Sequence, residues 1–411
     1  MLDMLKNKFF FGSIFLAITL VFFFFGYFYY KNLRGAWVAV KTPVANVSKL
    51  IAEEKTPLKL PPGFSLSIYA GGLKGPRAMV RDSRRNLLVS LSSDGKVVAL
   101  VDNDADGKAE EIKTIISGLK NPHGLAFNCA DDSNNPYPCK LYIAEENQVK
   151  MYDYDSKNLQ VINGQKLIDL PSGGFHITRS LLLNGDTLYV AVGSSCNVCR
   201  EKDSRRASIL AIDLKTKQAN PFAKGLRNSV FMAINPNDGK IWATDMGRDL
   251  LGDDLPPDEI NILEKGKNYG WPVCYGQNIH DTEFDKNTYF RNPCQTPFET
   301  PAHIDIPAHS APLGLAFVPK EGWPQDMQGD LLVAYHGSWN RSVPTGYKVV
   351  KYHLNKEGGV LSVENFLSGF LDERGNLYGR PVDILIESGG VVFVSDDKAG
   401  VVYRIILKNE K

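Results

Sequence analysis

The chain has almost no charge of either sign to spare. Its 47 lysines and arginines face 46 aspartates and glutamates, a formal net charge of +1. A nucleic-acid partner requires a concentrated basic face, and this balance argues against one. Long amphipathic helical patterns are missing beyond Pro61, where short apolar runs alternate with turn residues to the end of the chain. Haem attachment is excluded, because the Cys196–Cys199 segment is followed by Arg200 where histidine is needed. A second Cys-x-x-Cys, which would make a zinc site convincing, is also missing.

What is present begins with a segment lacking charge altogether. Phe9 to Tyr30 is 22 residues without a charged side chain. As a helix it would span roughly 33 Å at about 1.5 Å per residue, enough for a bilayer core. Tyr27, Tyr29 and Tyr30 fall where an interfacial aromatic belt would lie. The rival reading is a cleaved signal peptide, whose apolar region is only about 7–15 residues and ends in small residues. Here Tyr-Tyr-Lys-Asn follows instead. The expectation is a short tail (1–8), an uncleaved anchor (9–30), a tether (31–60) with one helical turn near Lys49–Glu53, and a folded domain (61–411). Lys6 and Lys8 on one side, and Lys31, Arg34 and Lys41 on the other, leave the orientation undecided by charge.

The six cysteines fall into local pairs, Cys129 with Cys139, Cys196 with Cys199, and Cys274 with Cys294. In a chain with an export segment such pairs read as disulfides, against free thiols or a metal site. Disulfides would place the main domain on the periplasmic side of an inner membrane.

A loose repeat runs through that domain. A polar, glycine-containing lead-in precedes an apolar strand, a turn and a second strand. The six copies begin at Pro76, Asn121, Arg179, Asn228, Ala311 and Arg380. Four-stranded units repeated radially make a six-bladed β-propeller, an all-β fold here preceded by one transmembrane helix. A β-sandwich pair is the bland alternative. The last unit is one strand short, and Phe64–Tyr69 can supply it and close the ring.

Lead-in loops of a propeller converge on one face. Their polar residues are Arg77, His123, His176, Arg227-Asn228, His309 and Arg380. Singly, each reads as a solvated loop residue. As a ring they suit an anionic, carboxylate-bearing ligand, with arginine forks for its oxygens and a neutral histidine as base.

The stretches Gly174-Phe-His-Ile-Thr-Arg179, Val192-Gly-Ser-Ser-Cys-Asn-Val-Cys199, Gly225-Leu-Arg-Asn228, Ala243-Thr-Asp-Met-Gly-Arg-Asp249, Gly252–Asn261 and Asn268-Tyr-Gly-Trp-Pro272 resemble the glucose/sorbosone dehydrogenase family of soluble-type quinoproteins. The resemblance spans about residues 60 to 408. It implies pyrroloquinoline quinone (PQQ) with calcium, and hydride transfer from a hydroxyl-bearing carbon of a sugar or sugar-derived aldehyde to the quinone. By the same resemblance His176 is the base and Arg227 polarises the quinone carbonyl. Asn228 and Arg380 contact the cofactor, and the carbonyls of Gly247 and Arg248 hold its calcium. Two positions depart from the family pattern. Phe175 stands where glucose-oxidising members carry an acid. No lysine follows the second strand of the fifth unit; the stretch there is Tyr335–Arg341, so His336 or Arg341 is expected to take its place. The paired cysteines lean toward the sorbosone-type branch.

Asp102, Asp104 and Asp106 begin like a calcium loop, but the twelfth position is Lys113. A calcium-binding turn and a plain polar turn both remain open there. Asp258-Glu259 could bind a structural calcium or form a solvated turn, and the solvated turn is preferred. Competing functions are a calcium-dependent lactonase-like hydrolase, which the basic lead-ins disfavour, and a non-catalytic binding propeller. The implied partners are a small sugar or aldehyde, an electron acceptor such as a quinone or cytochrome, and the membrane.

Overall fold

A computed structural model of the protein describes residues 2–35, 47–129 and 139–408, with the side chains of 2–12 left aside. Twenty-four strands form six four-stranded antiparallel sheets, and a two-stranded hairpin (Cys274–Tyr275 with Ile279–His280) is an addition to the fourth. Five of the sheets run through the chain in order from an inner to an outer strand. The inner strands begin at Pro76, Leu125, Leu181, Met232, Pro312 and Pro381. One residue from each of them, namely Met79, Leu125, Leu181, Met232, Leu315 and Ile384, lines a cavity of about 150 Å³. Six strands around one cavity define the axis of a six-bladed propeller and rule out a sandwich.

The sixth blade has only three strands from the C-terminal end. Its outer strand is Phe64–Ala70, pairing antiparallel with Val401–Leu407 from Phe64↔Leu407 to Ala70↔Val402. The ring therefore closes as the repeat pattern predicts.

The core is divided rather than central. Six clusters of buried apolar residues each join two neighbouring blades, for example Leu88, Val97 and Ala99 of the first with Leu141, Ile143 and Tyr152 of the second. The set is completed by clusters at the other five seams. Both faces of a blade's second strand are thus covered, which is why Leu87–Leu91, Ile241–Asp245 and Leu331–Tyr335 are buried at every position. Outer strands such as Val360–Leu367 face water along most of their length.

Before the propeller, a helix runs over Leu2–Phe28 and continues as one wider turn, Tyr29–Leu33. Within it, Ser13–Leu33 is long and apolar enough to cross a membrane. Of the expected tether, residues 36–46 lie outside the described residues, and much of the remainder is seated on the propeller. A helix spans Val47–Ala52, Val47 and Leu58 are buried in the seam between the fifth and sixth blades, and Lys59 pairs with Ser368.

All three cysteine pairs are disulfides, Cys129–Cys139, Cys196–Cys199 and Cys274–Cys294. This removes the free-thiol and metal readings, including a ligand role for Cys196 and Cys199 beside Glu201.

Candidate active site

A recurring device fixes the lead-in loops. A carboxylate at the end of a blade's second strand accepts backbone N–H groups from the loop before that blade's inner strand. Glu145 takes Lys120 N, Asp396 takes Arg380 N, and Asp245 takes both Arg227 N and Asn228 N at 3.0 and 2.7 Å. These N–H groups have no ladder partner, so the carboxylate satisfies them and sets where the next side chain starts.

His176 sits where two loops cross. Gly174 carries the first, with φ +85° and no room for a Cβ, which would lie 2.7 Å from the Ser195 backbone. Gly193 carries the second; a Cβ there would lie 2.6 Å from His176 Cβ and 2.7 Å from Asn228 Oδ1. Arg179, fully buried, holds the His176 loop from beneath through the carbonyls of Pro171, His176 and Thr178.

The histidine tautomer follows from its partners. His176 Nδ1 lies 3.0 Å from Ser194 O and 2.9 Å from Ser194 Oγ. Ser194 Oγ donates its own proton to Cys196 O at 2.7 Å, so both neighbours of Nδ1 can only accept. Nδ1 therefore carries the hydrogen and Nε2 keeps its lone pair. Burial, and then the charge of Arg227, lower the His176 pKa to about 3, so the ring is neutral at ordinary pH.

Arg227 is almost completely buried, and its guanidinium is saturated. Nε donates to Asn197 O, Nη1 to Met246 O and Gly247 O, and Nη2 to Asn197 Oδ1 and Asp249 Oδ2, at 2.7 to 3.3 Å. All five N–H donors are committed to the protein. Arg227 thus contributes a fixed positive charge, not the free donor expected for a quinone carbonyl. The expected calcium cradle is altered by the same contacts. The Gly247 carbonyl already accepts from Arg227 at 2.7 Å, and the Arg248 side chain pairs with Asp281 at 2.8 Å. One lone pair of the Gly247 carbonyl is thus engaged by the guanidinium, and the second is open to a further partner.

Beside this crossing lies a cavity of about 510 Å³ lined by Arg77, Asn121, Thr178, His336, Arg380, Asp397 and Lys398, among others. Its walls come from five of the six blades. Asp397 accepts from Arg77 at 2.7 Å and from His336 Nε2 at 2.9 Å. Burial would raise its pKa, but His336 and Arg77 outweigh burial and hold it well below the usual carboxylate range. Arg380 Nη2 donates to Gly337 O, Ser338 O and Tyr347 Oη, while its buried Nε has no partner. Three cations, Arg77, Arg380 and Lys398, against one carboxylate, Asp397, suit a polyanionic ligand of PQQ's kind.

The remaining expected residues are placed as follows. Asn228 faces Gly193 beside His176. Arg341 lies away from the cavity, bound to Asp254 at 2.7 Å and to Ala308 O. His123 is fully buried against Phe231 and Ser180. His309 Nε2 donates to Gly252 O and holds that loop. Asp102, Asp104 and Asp106 converge with Glu110, which the sequence pattern did not single out. Asp258 and Glu259 are not a solvated turn. Both are buried at the start of a strand, where Asp258 accepts Gly247 N and Ala311 N and Glu259 accepts Gly276 N. Ser194, Asn197, Asp245 and Asp249 were also missed as functional residues, although each lies within the motifs that carried the resemblance.

The chain is similar to known proteins along most of its length. The model of a family described as TrAA12-like matches residues 58–408. The chain belongs to that family. An uncharacterized protein of Borreliella burgdorferi is 31% identical over 377 residues, 87% of this chain and 93% of its own length. A pyrroloquinoline quinone-dependent pyranose dehydrogenase of Coprinopsis cinerea is 25% identical over 84% of this chain. The match covers 54% of that enzyme, so the TrAA12-like chain spans about half its length. The structure of a Trichoderma reesei protein of carbohydrate-active enzyme family AA12 superposes with a TM-score of 0.71 at 23% identity, covering 85% of this chain and 97% of its own. The resemblance read from the motifs to soluble-type quinoprotein sugar dehydrogenases therefore holds.

Proposed function

We propose that the protein is a PQQ-dependent dehydrogenase that oxidises a hydroxyl-bearing carbon of a sugar or sugar-derived aldehyde. The observation that carries this reading is the pairing of a neutral His176, its Nε2 free to accept a proton, with an adjoining cavity lined by Arg77, Arg380 and Lys398 against the single carboxylate Asp397. His176 Nε2 takes the substrate hydroxyl proton. Ser194 holds the ring in the accepting tautomer, and the buried charge of Arg227 favours the negative charge that develops as the proton leaves. Arg380, Arg77 and His336 bind and orient the cofactor's acidic groups. PQQ, when bound, supplies the two-electron acceptor. Electrons then pass to an external acceptor.

Phe175, 71% exposed beside the base, presents an apolar surface where glucose-oxidising relatives place an acid, which favours a sorbosone-type substrate over glucose. Calcium belongs to the same proposal. Its hard oxygen donors are the carboxylates of Asp102, Asp104, Asp106 and Glu110, whose ligand atoms lie within 4.8 Å of one another. The apolar helix and three disulfides support a domain anchored at a membrane and held outside the cytoplasm. A lactonase-like hydrolase is disfavoured, because Asp397, the carboxylate of the cavity, is already paired with Arg77 and His336.

The test is dye reduction by the detergent-solubilised full chain with PQQ and calcium, across aldoses, keto-aldehydes and simple alcohols. Cofactor-dependent turnover is expected, falling by about 10²–10⁴-fold in His176→Ala. Failure to bind PQQ would overturn the assignment and leave the binding-module reading.

A further inference from the structure

The loops that build the active site are also the loops that meet the N-terminal helix. Tyr27, Tyr29 and Tyr30 are 54% to 63% exposed at the end of the apolar stretch. They sit where interfacial aromatic residues mark the edge of a bilayer. The next residue already touches the propeller: Lys31 Nζ lies 2.7 Å from Glu283 Oε1. Its carbonyl is so near Gly252 that a Cβ on that glycine would lie 2.9 Å away. Arg34 follows, 3.8 Å from Asp253. Gly35 is buried against the Arg341 and Ser342 backbone, again with no room for a Cβ. Within about one helical turn, roughly 5 Å, of the tyrosine belt, the chain is seated on two loops, 249–257 and 336–345, and reaches Glu283 of a third.

These two loops also hold Arg227. Asp249 pairs with its Nη2, and Asn340 donates to the other oxygen of Asp249 at 2.8 Å. They present exposed apolar side chains to either side of the helix contact: Leu250 (38%), Leu255 (44%), Trp339 (55%) and Val343 (73%). The charges between them are matched, Arg341 with Asp254 at 2.7 Å and Lys31 with Glu283. Such a rim, apolar with its charges paired, is suited to an interface rather than to bulk water.

We propose that the active-site face rests on the membrane crossed by the N-terminal helix, with Leu250, Leu255, Trp339 and Val343 entering its interfacial layer. This rests on the anchor reading of the helix and is independent of the dehydrogenase assignment. The partner is the lipid surface itself, selected by continuity with the helix. Seated this way, the cavity opens close to the bilayer.

The experiment places the full chain in phosphatidylcholine vesicles containing a lipid with a photoreactive group at the glycerol level, and maps adducts by mass spectrometry. Peptides covering 250–255 and 339–343 are expected to carry several-fold more adducts than the peptide containing Leu361 and Val363. Those two residues are as exposed, at 60% and 53%, but lie on the outer strand of the fifth blade. The double variant Trp339→Ser, Val343→Ser should lose the adducts at 339–343 while the helix keeps its own. Adducts on the helix but no enrichment at the rim would overturn the proposal, as would wild-type labelling in the double variant. Adducts on neither would overturn the anchor reading and this inference with it.

Discussion

His176 is a base whose protonation has been set by its surroundings. An imidazole in water titrates near pH 6.5, so an ordinary histidine base would lose activity across the neutral range. Burial and the nearby Arg227 charge bring this ring to about 3. The shift favours the neutral form, so the base stays ready as pH falls, until the pH approaches the lowered value. The logarithm of kcat/KM is therefore expected to be level through pH 6.5, with any acid limb due to this ring well below pH 5. An inflection near 6.5 that vanishes in His176→Gln would contradict that assignment. The sign for stability is the same. Between the lowered and the ordinary pKa the unfolded chain binds the extra proton, so this ring's contribution falls as pH is lowered through that window. The identity of the base was legible from its motif. Its tautomer was not, because that depends on Ser194 spending its proton on Cys196 O. The saturation of Arg227 was equally hidden, since its five acceptors come from two loop segments, Asn197 and Met246–Asp249, both distant from it in sequence.

At the scale of elements, the loop 194–199 connects the base to the buried charge. Its Ser194 meets His176, its Asn197 meets Arg227 and the Asp249 backbone, and the Cys196–Cys199 disulfide closes it. The two polar side chains should not count equally. Ser194→Ala leaves the Ser194 carbonyl as a partner for Nδ1, so turnover should stay within several-fold of wild type. Asn197→Ala removes the acceptor shared by Arg227 Nη2 and Asp249 N, leaving buried donors unmatched at a cost of about 1–3 kcal/mol. Turnover is expected to fall more than in Ser194→Ala, with a lower unfolding temperature. Steady-state kinetics and thermal unfolding on both variants check this; equal effects would break the link drawn through Asn197. Disulfide pairing was legible because each cysteine had a near neighbour in sequence. The solvated-turn reading of Asp258-Glu259 failed for a physical reason. Consecutive acids and prolines suggest a turn, but here the carboxylates are drawn inward by backbone N–H groups of Gly247, Ala311 and Gly276.

For the whole molecule, the closed ring decides how stability is shared. An open array of repeats frays from its ends, because terminal units have one neighbour. Here the strand Phe64–Ala70 gives the sixth blade its outer edge, and six seams of comparable make-up run round the axis. The repeat was legible because inner and second strands are covered on both faces and read as apolar runs. The seating of residues 47–60 was not, since a few buried positions among prolines and lysines leave no periodic signal. Tyr69 is the residue on which closure can be tested. It is 1% exposed, stands edge-on to Phe393 at 4.9 Å, and belongs to the seam joining the sixth blade to the first. Tyr69→Ala should cost about 3–5 kcal/mol, as large aromatic truncations in a core do. In a closed ring that loss cannot stay local, because an opened seam exposes an edge on both adjoining blades. Hydrogen exchange should therefore show faster exchange in the third blade, at Leu188 and Ile209, as well as in the first and sixth. Protection lost only in the two blades flanking the seam would mean that the blades unfold separately and that closure adds no shared stability.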